Sequence, residues 1–367
     1  MVFIYSTAVG DSAAPDHLST GPAARMPAEW EAHQRTWMAF PPPNDTFGPA
    51  GSPTLDRARV AWTKVAQTIA RYEPVTVVAD PRDATAAREW LGGGIDVVEI
   101  PLDDAWLRDS GPTFVHQPDG SLAAVDWIFN GWGAQDWAAW TRDQHVARTV
   151  AAGIGVPVRP SPLVNEGGGF HVDGEGTVLL TETVQLDPGR NPGATKESVE
   201  AEVHAALGTT KAIWLPRGLT RDYDEFGTRG HVDIVAAFAG AGTILLHRQD
   251  DPAHPDHAVY LQLKTVLAGQ LDAQGRPLRI IDVPAPTVLR DDEGYVDWSY
   301  INHYVGNKVV LLCSFDDPND AIAAGILERA YPGRRVELVD ARDIFAFGGG
   351  IHCITQQQPA AKDGGAL

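Results

Sequence analysis

The chain is expected to fold as an α/β protein, and three observations point there. Short apolar runs rich in β-branched residues recur along 367 residues. Stretches with helical apolar spacing lie between them, and strands alternating with helices imply layered α/β architecture. The third observation is the absence of a Pro/Ser-rich linker, which favours one compact domain over two. Residues 1–26, rich in Gly, Ala, Ser and Pro, are expected to be a disordered tail. Residues 27–358 form the expected domain, and 359–367 a second disordered tail.

The elements follow in order. Residues 55–72 carry Val60, Ala61, Val65 and Ile69 at helical spacing. Strand-like runs follow at 75–79 and 97–100, then at 178–180. After Asn191-Pro192-Gly193, a helix is expected over 196–207, with a strand at 212–215. Further strands are expected at 243–246, 279–283 and 308–312, and a third helix at 321–331.

Composition narrows the function classes. Forty-eight acidic residues against 29 Lys and Arg give a net charge of −19. Such a surface repels nucleic acid and anionic lipid, so neither is an expected partner, whereas a cation is compatible. No run of eighteen apolar residues exists, and residues 2–5 are too short for a signal segment. A cytoplasmic location is expected. Two cysteines cannot make a disulfide framework.

Polar clusters punctuated by Gly or Trp recur near Asp104, Glu166, His231, Asn302 and Cys353, at intervals of 51 to 71 residues. That spacing hints at five similar units, each delivering one polar station to a common centre. Cys353 follows Gly348-Gly349-Gly350-Ile351-His352 and precedes Ile354-Thr355-Gln356. Glycines let backbone approach a ligand, so the thiol reads either as a nucleophile or as a small core residue. In an extended His231-Val232-Asp233, imidazole and carboxylate share one face and suit general-base work beside a charge-binding acid. In an extended Asp104-Ala105-Trp106-Leu107-Arg108, Asp104 and Trp106 share a face, and a carboxylate beside an indole suits a planar cation. Arg108 is expected to tie down a neighbouring acid. Glu166-Gly167-Gly168-Gly169 lacks the Lys of a phosphate loop; Glu166 is expected to orient or balance the imidazole. His352 is expected to face away from the thiol chemistry, and Cys313 to be a core residue. The clustered Cys/His pairs of a structural zinc site are absent, while a catalytic zinc stays open at this point.

Several longer motifs carry a resemblance. They include Met26-Pro27-Ala28-Glu29-Trp30, Trp106-Leu107-Arg108-Asp109-Ser110-Gly111-Pro112 and Asp126-Trp127-Ile128-Phe129-Asn130-Gly131-Trp132-Gly133. Glu166-Gly167-Gly168, Gly230-His231-Val232-Asp233 and Ile351-His352-Cys353-Ile354-Thr355-Gln356 complete them. Together they resemble the agmatine deiminase and bacterial peptidylarginine deiminase family of guanidine-modifying enzymes. The resemblance implies a five-bladed α/β propeller of ββαβ-type units (the pentein fold) and a thiol mechanism without metal or other cofactor. It implies Cys353 as nucleophile, His231 as acid/base, Asp104 and Asp233 as guanidinium clamps, and Glu166 as supporting acid. Asn302, Trp106 and Trp132 are the further substrate contacts it implies, and a homodimer is an expectation of the same kind.

Three positions depart from the family pattern. Gly350 stands where Asn is usual, Ile234 where Asn follows the His-x-Asp, and the loop before His231 is longer. An amine tail would want an acid such as Asp224 or Glu225 in that loop. No Arg pair occupies 126–133, where a reader of C-terminal arginine carries one, which favours agmatine. The expected activity is hydrolysis of agmatine to N-carbamoylputrescine and ammonia, a step towards putrescine. Deimination of peptidyl arginine or another small guanidine, a guanidine-binding protein without turnover, and a metal hydrolase are the alternatives.

Overall fold

The computed structural model describes residues 24–292 and 294–361, which form five small sheets around a common centre. The first contains β1 (His33–Ala39), β2 (Val75–Ala79) and β3 (Asp96–Glu99), all parallel. The next three-stranded sheets are β4–β6 (Thr113–His116, Leu122–Ile128, Val158–Val164) and β7–β9 (Phe170–Val172, Thr177–Thr181, Lys211–Leu215). Then come β10–β12 (Ala236–Phe238, Thr243–Arg248, Arg279–Pro284) and β13–β15 (Tyr304–Gly306, Val309–Ser314, Arg335–Asp340). Each begins with an antiparallel hairpin and ends with a parallel strand. A parallel neighbour needs a crossover, and a helix supplies it: Val146–Gly153, Lys196–Leu207, Pro255–Leu267 and Asn319–Ala330. These are ββαβ units, as expected.

The fifth unit is assembled from both ends of the chain. The last strand, β16 (Thr355–Pro359), pairs antiparallel with β1 and takes the hairpin position. Helix Pro53–Ile69 crosses from β1 to β2, and helix Ala84–Leu91 adds β3. The ring therefore closes through a pairing of Met38 with Thr355 and Trp37 with Gln356.

The expected strands and helices are all present, with ends shifted by a few residues. The middle strands β2 and β8 are buried throughout, and β14 is buried over five of its six positions, because helices cover one face and the propeller centre the other. That double burial is why they read as unbroken apolar runs. Helix Lys196–Leu207 starts with a capping box, the Thr195 side chain accepting from Ser198 N and the Ser198 hydroxyl from Thr195 N. No described helix is long and apolar enough to cross a membrane.

The tail boundaries need correction. Ala24 and Met26 are buried, and Arg25 pairs with His116 through two backbone hydrogen bonds. Order thus extends at least to Ala24, and Pro359 and Ala360 belong to the sheet, Ala360 N donating to Ala32 O at 2.8 Å. The rest of both expected tails lies outside the described residues. Apolar burial in the hub dominates stability: Leu311→Ala in β14, fully buried, is expected to cost about 3 kcal/mol. Urea unfolding measures it as a lower midpoint at unchanged slope.

Candidate active site

Each unit presents the residues that immediately precede its first strand to the propeller centre. Asp109 precedes β4, Glu166 precedes β7, His231 and Asp233 precede β10, Asn302 precedes β13 and Cys353 precedes β16. The five-station reading of the sequence is correct in form, with one substitution of residue: Asp109 takes the place given to Asp104.

The reason is local geometry. Residues 107–110 form a helical turn, stopped by Gly111 and Pro112, not an extended segment. Helical spacing puts Trp106 and Asp109, three apart, on one face. Arg108 N donates to Cys353 O at 3.1 Å, which fastens the turn to the nucleophile segment. Asp109 Oδ1 accepts from Gly168 N at 3.0 Å and lies 3.8 Å from His231 Nδ1; its Oδ2 accepts from Trp132 Nε1 at 2.9 Å. Asp104 is also buried, but it faces a separate polar cavity of about 270 Å³ lined by Pro43, Thr46, Trp137 and Arg142. Its partners are Thr46 and Ala105 N, and none of its described contacts reaches Cys353, His231 or Asp233. Burial pushes its carboxyl up to about 7.

His231 and Asp233 converge as expected, although residues 232–234 form a 3-10 turn instead of a strand. Asp222 builds that turn, accepting from Gly230 N at 2.6 Å and His231 N at 3.0 Å. Glu166 Oε2 lies 3.2 Å from His231 Nε2. Arg190, fully buried and missed by the sequence reading, donates through Nε to both Glu166 oxygens at 2.9 and 3.0 Å. Nδ1 of His231 and Oδ1 of Asp233 make no hydrogen bond among the described residues, although Nδ1 pairs with Asp109 at 3.8 Å. Gly168 packs against both: a Cβ there would overlap His231 Nδ1.

Cys353 is 4 % exposed, so only a slim group reaches it. Its Sγ receives Asn302 Nδ2 at 3.2 Å and lies 3.7 Å from Asp233 Oδ2. Gly349 separates it from the Trp106 ring, and a Cβ on Gly350 would overlap Asn302 Oδ1. The Asn that the resemblance leads one to expect at 350 therefore cannot be accommodated with Asn302 in this position. Ile234, the second departure, is buried in an apolar cluster with Val232 and Phe238. Trp132 does not offer its indole N–H to a substrate, since Asp109 holds it; its ring stacks on Trp137, which meets Phe226 of the 221–229 loop. Glu225 is exposed on that loop, without a described contact to the buried group.

His352 lies beneath the nucleophile, its Nδ1 2.7 Å from Asp233 Oδ2 and its Nε2 2.7 Å from Glu29 Oε1. Glu29, His171 and His352 are spaced closely enough to surround a metal ion. Both nitrogens of His352 are already engaged by carboxylates, however, and Arg108 Nη1 stands 3.5 Å from the same Glu29 oxygen.

The electrostatics follow from burial of like charges. Burial pushes the Cys353 thiol well above its usual range, and the Asp233 and Asp109 carboxylates push it further. Burial also raises Asp109 to about 6. For Asp233, burial acts upward, but the hydrogen bond and charge of His352 outweigh it and hold the carboxyl below its usual range. Burial would lower His231, yet Asp109, Glu166 and Asp233 outweigh it and hold it near 9. The centre thus presents a neutral thiol beside the Asp233 carboxylate and in the field of Asp109, a face complementary to a compact planar cation.

The profile of the Porphyromonas-type peptidyl-arginine deiminase family matches residues 25–359. A Streptomyces coelicolor protein provisionally named as an agmatine deiminase is 62% identical over 336 residues, covering 91% of this chain and 98% of that protein. The agmatine deiminase of Pseudomonas aeruginosa is 40% identical over 361 residues, covering 92% and 96%. Among solved structures, the agmatine deiminase of Enterococcus faecalis superimposes with a TM-score of 0.85 at 31% identity, covering 93% of this chain and 98% of that one.

The raised His231 has a measurable consequence. A folded-state value near 9 against about 6.5 unfolded stabilises the protein fully below pH 6.5, and that contribution is lost as pH rises through 9. NMR of the imidazole nitrogens should find His231 protonated at pH 8 in the free protein. Asp109→Asn should move its titration to lower pH.

Proposed function

The chain belongs to the Porphyromonas-type peptidyl-arginine deiminase family, and from that premise we propose that it hydrolyses agmatine to N-carbamoylputrescine and ammonia. It is a hydrolase acting on a linear amidine. The observation that carries the reading is the buried thiol of Cys353, 3.7 Å from Asp233 Oδ2 and in the field of Asp109, with Asp233 Oδ1 making no hydrogen bond among the described residues.

A guanidinium entering this centre brings positive charge to the face of Asp109 and Asp233 that the buried cations leave open. Asp109 and Asp233 accept its N–H groups and set its plane, which places the central carbon beside Sγ. The bound cation neutralises the carboxylates that hold the thiol protonated, so Cys353 releases its proton to solvent and substrate itself favours the thiolate. Asn302 Nδ2, 3.2 Å from Sγ, stabilises the anion. Attack forms the S–C bond and a tetrahedral adduct. His231, protonated and held by Glu166, delivers a proton to the departing nitrogen, and ammonia leaves a thiouronium. The same imidazole, now neutral, takes a proton from water as it adds. The C–S bond breaks as the adduct's hydroxyl gives up its proton to solvent, the thiolate returns, and the ureido product keeps one nitrogen of the original pair.

The Trp132–Trp137–Phe226 stack lies beside this centre, and the 221–229 loop carries Asp224 and Glu225 as acids for the distal ammonium. The cytoplasmic location and the homodimer expected from the sequence belong to the same proposal, tested by fractionation and sedimentation.

Ammonia release from agmatine, free arginine and an arginine-containing peptide tests the substrate; agmatine should dominate, and preferential turnover of the peptide refutes the choice. Cys353→Ala should abolish turnover while the thermal transition persists. Asp109→Asn should lower kcat/KM at least about 100-fold, the scale of a lost charged contact to the reacting group. Asp104→Asn should stay within about tenfold of the parent. The reverse order would restore Asp104 as the clamp.

A further inference from the structure

We propose that Glu29 is a positioning residue for the reaction, acting through His352 to fix Asp233 in one orientation and keep it ionised. The proposal rests on the agmatine reading of the site for its kinetic consequences, but the underlying geometry stands by itself.

Glu29 comes from the segment before β1, far in sequence from the propeller centre, and is 5 % exposed. Its backbone oxygen accepts from His33 Nε2 at 2.9 Å, which fixes the segment, while its carboxylate turns inward. Oε1 is 2.7 Å from His352 Nε2, and His352 Nδ1 is 2.7 Å from Asp233 Oδ2. A neutral imidazole has one N–H; two carboxylate partners call for the imidazolium, which donates from both nitrogens. All three side chains are at most 7 % exposed. Three buried groups thus run in line, acid to imidazolium to acid, and the last is the proposed substrate clamp. With Oδ2 occupied by His352, Asp233 is left with Oδ1 to offer.

Other charged groups also face this line. His352 meets Arg108 and stacks near His171 at 6.2 Å, with His303 in range of the same electrostatics. Asp233 meets His231 and Arg108 as well as Cys353. Arg108 and His171 approach Glu29 at 3.5 and 3.6 Å. Burial and Arg108 act to discharge His352, and the two carboxylates outweigh them. Removing the charge on Glu29 removes the larger reason for His352 to stay protonated, and Asp233 then loses its cationic partner. Its carboxyl rises, so the form that binds a guanidinium disappears at higher pH.

The test pairs Glu29→Gln with a control of the same chemistry elsewhere. Glu73 is an equally buried carboxylate, 3.1 Å from His33 and bonded to Tyr304, outside the Cys353 group. Both Glu29→Gln and Glu73→Gln should lower the thermal transition. Only Glu29→Gln should move the acidic limb of kcat/KM for agmatine upward by about one pH unit and raise KM about tenfold. A profile that superimposes on the parent's, or an equal shift in Glu73→Gln, overturns the proposal. Imidazole nitrogen NMR of the parent protein gives a readout independent of turnover and of whether the variant folds. Both nitrogens of His352 should be protonated at pH 7, and a neutral ring overturns the relay. Absence of ammonia release by the parent would instead count against the substrate assignment, leaving the NMR result to decide the relay.

Discussion

The structure depends on an uneven placement of buried charge: carboxylates and a thiol lie at the centre of a ring, and the cations that offset them sit behind Glu166, Glu29 and Asp233, leaving Asp109 without a close one. Arg190 answers Glu166, and His352 answers both Glu29 and Asp233. Asp109 receives only hydrogen bonds from Gly168 N and the Trp132 indole, with His231 at 3.8 Å. Desolvation of a carboxylate is costly, so a fold that keeps such groups inside carries a standing preference for a cationic guest. Much of the surrounding packing serves that placement. Glycines at 168 and 350 bring backbone against the reactive side chains, and Asp222 fixes the turn that carries His231.

Much of the fold was legible in the sequence because the central strand of each unit is covered on both faces. A run such as Val309-Val310-Leu311-Leu312, short and rich in β-branched residues, marks a strand of that kind. The first strand of each unit was not legible. β7, β10 and β13 have three residues each, too few for a period. β16 is buried throughout yet reads Thr-Gln-Gln-Gln-Pro. Two of its side chains find partners distant in sequence: Gln356 donates to Pro112 O and Gln358 accepts from Trp37 Nε1. Polarity there reports hydrogen bonding across the ring closure, which no local pattern encodes.

The site was legible in its residue types and less so in its geometry. Cys353, His231, Asp233, Glu166 and Asn302 meet as expected. Asp104 was chosen over Asp109 by assuming an extended segment, where alternation favours it. The Gly111-Pro112 stop and the Trp106-to-Asp109 spacing of three were the available signals for a helical turn. Arg190 carried no signal of its own, and Glu29 stood in the Met26–Trp30 motif without a readable role, since each acts through a partner 24 or more residues away.

The closing sheet has a consequence for how the polypeptide can be threaded. Arg25 and Ala360 both bond to His116, one through the backbone and one through the imidazole, so the two ends of the described chain lie side by side. The blades form a circle, and the covalent break lies inside one of them, between β16 and β1. A short bridge across that seam, with a new opening cut in a solvent-facing connection elsewhere, would preserve every contact at the hub. The order in which blades leave the ribosome and the identity of the finished ring are thus separable properties of this architecture.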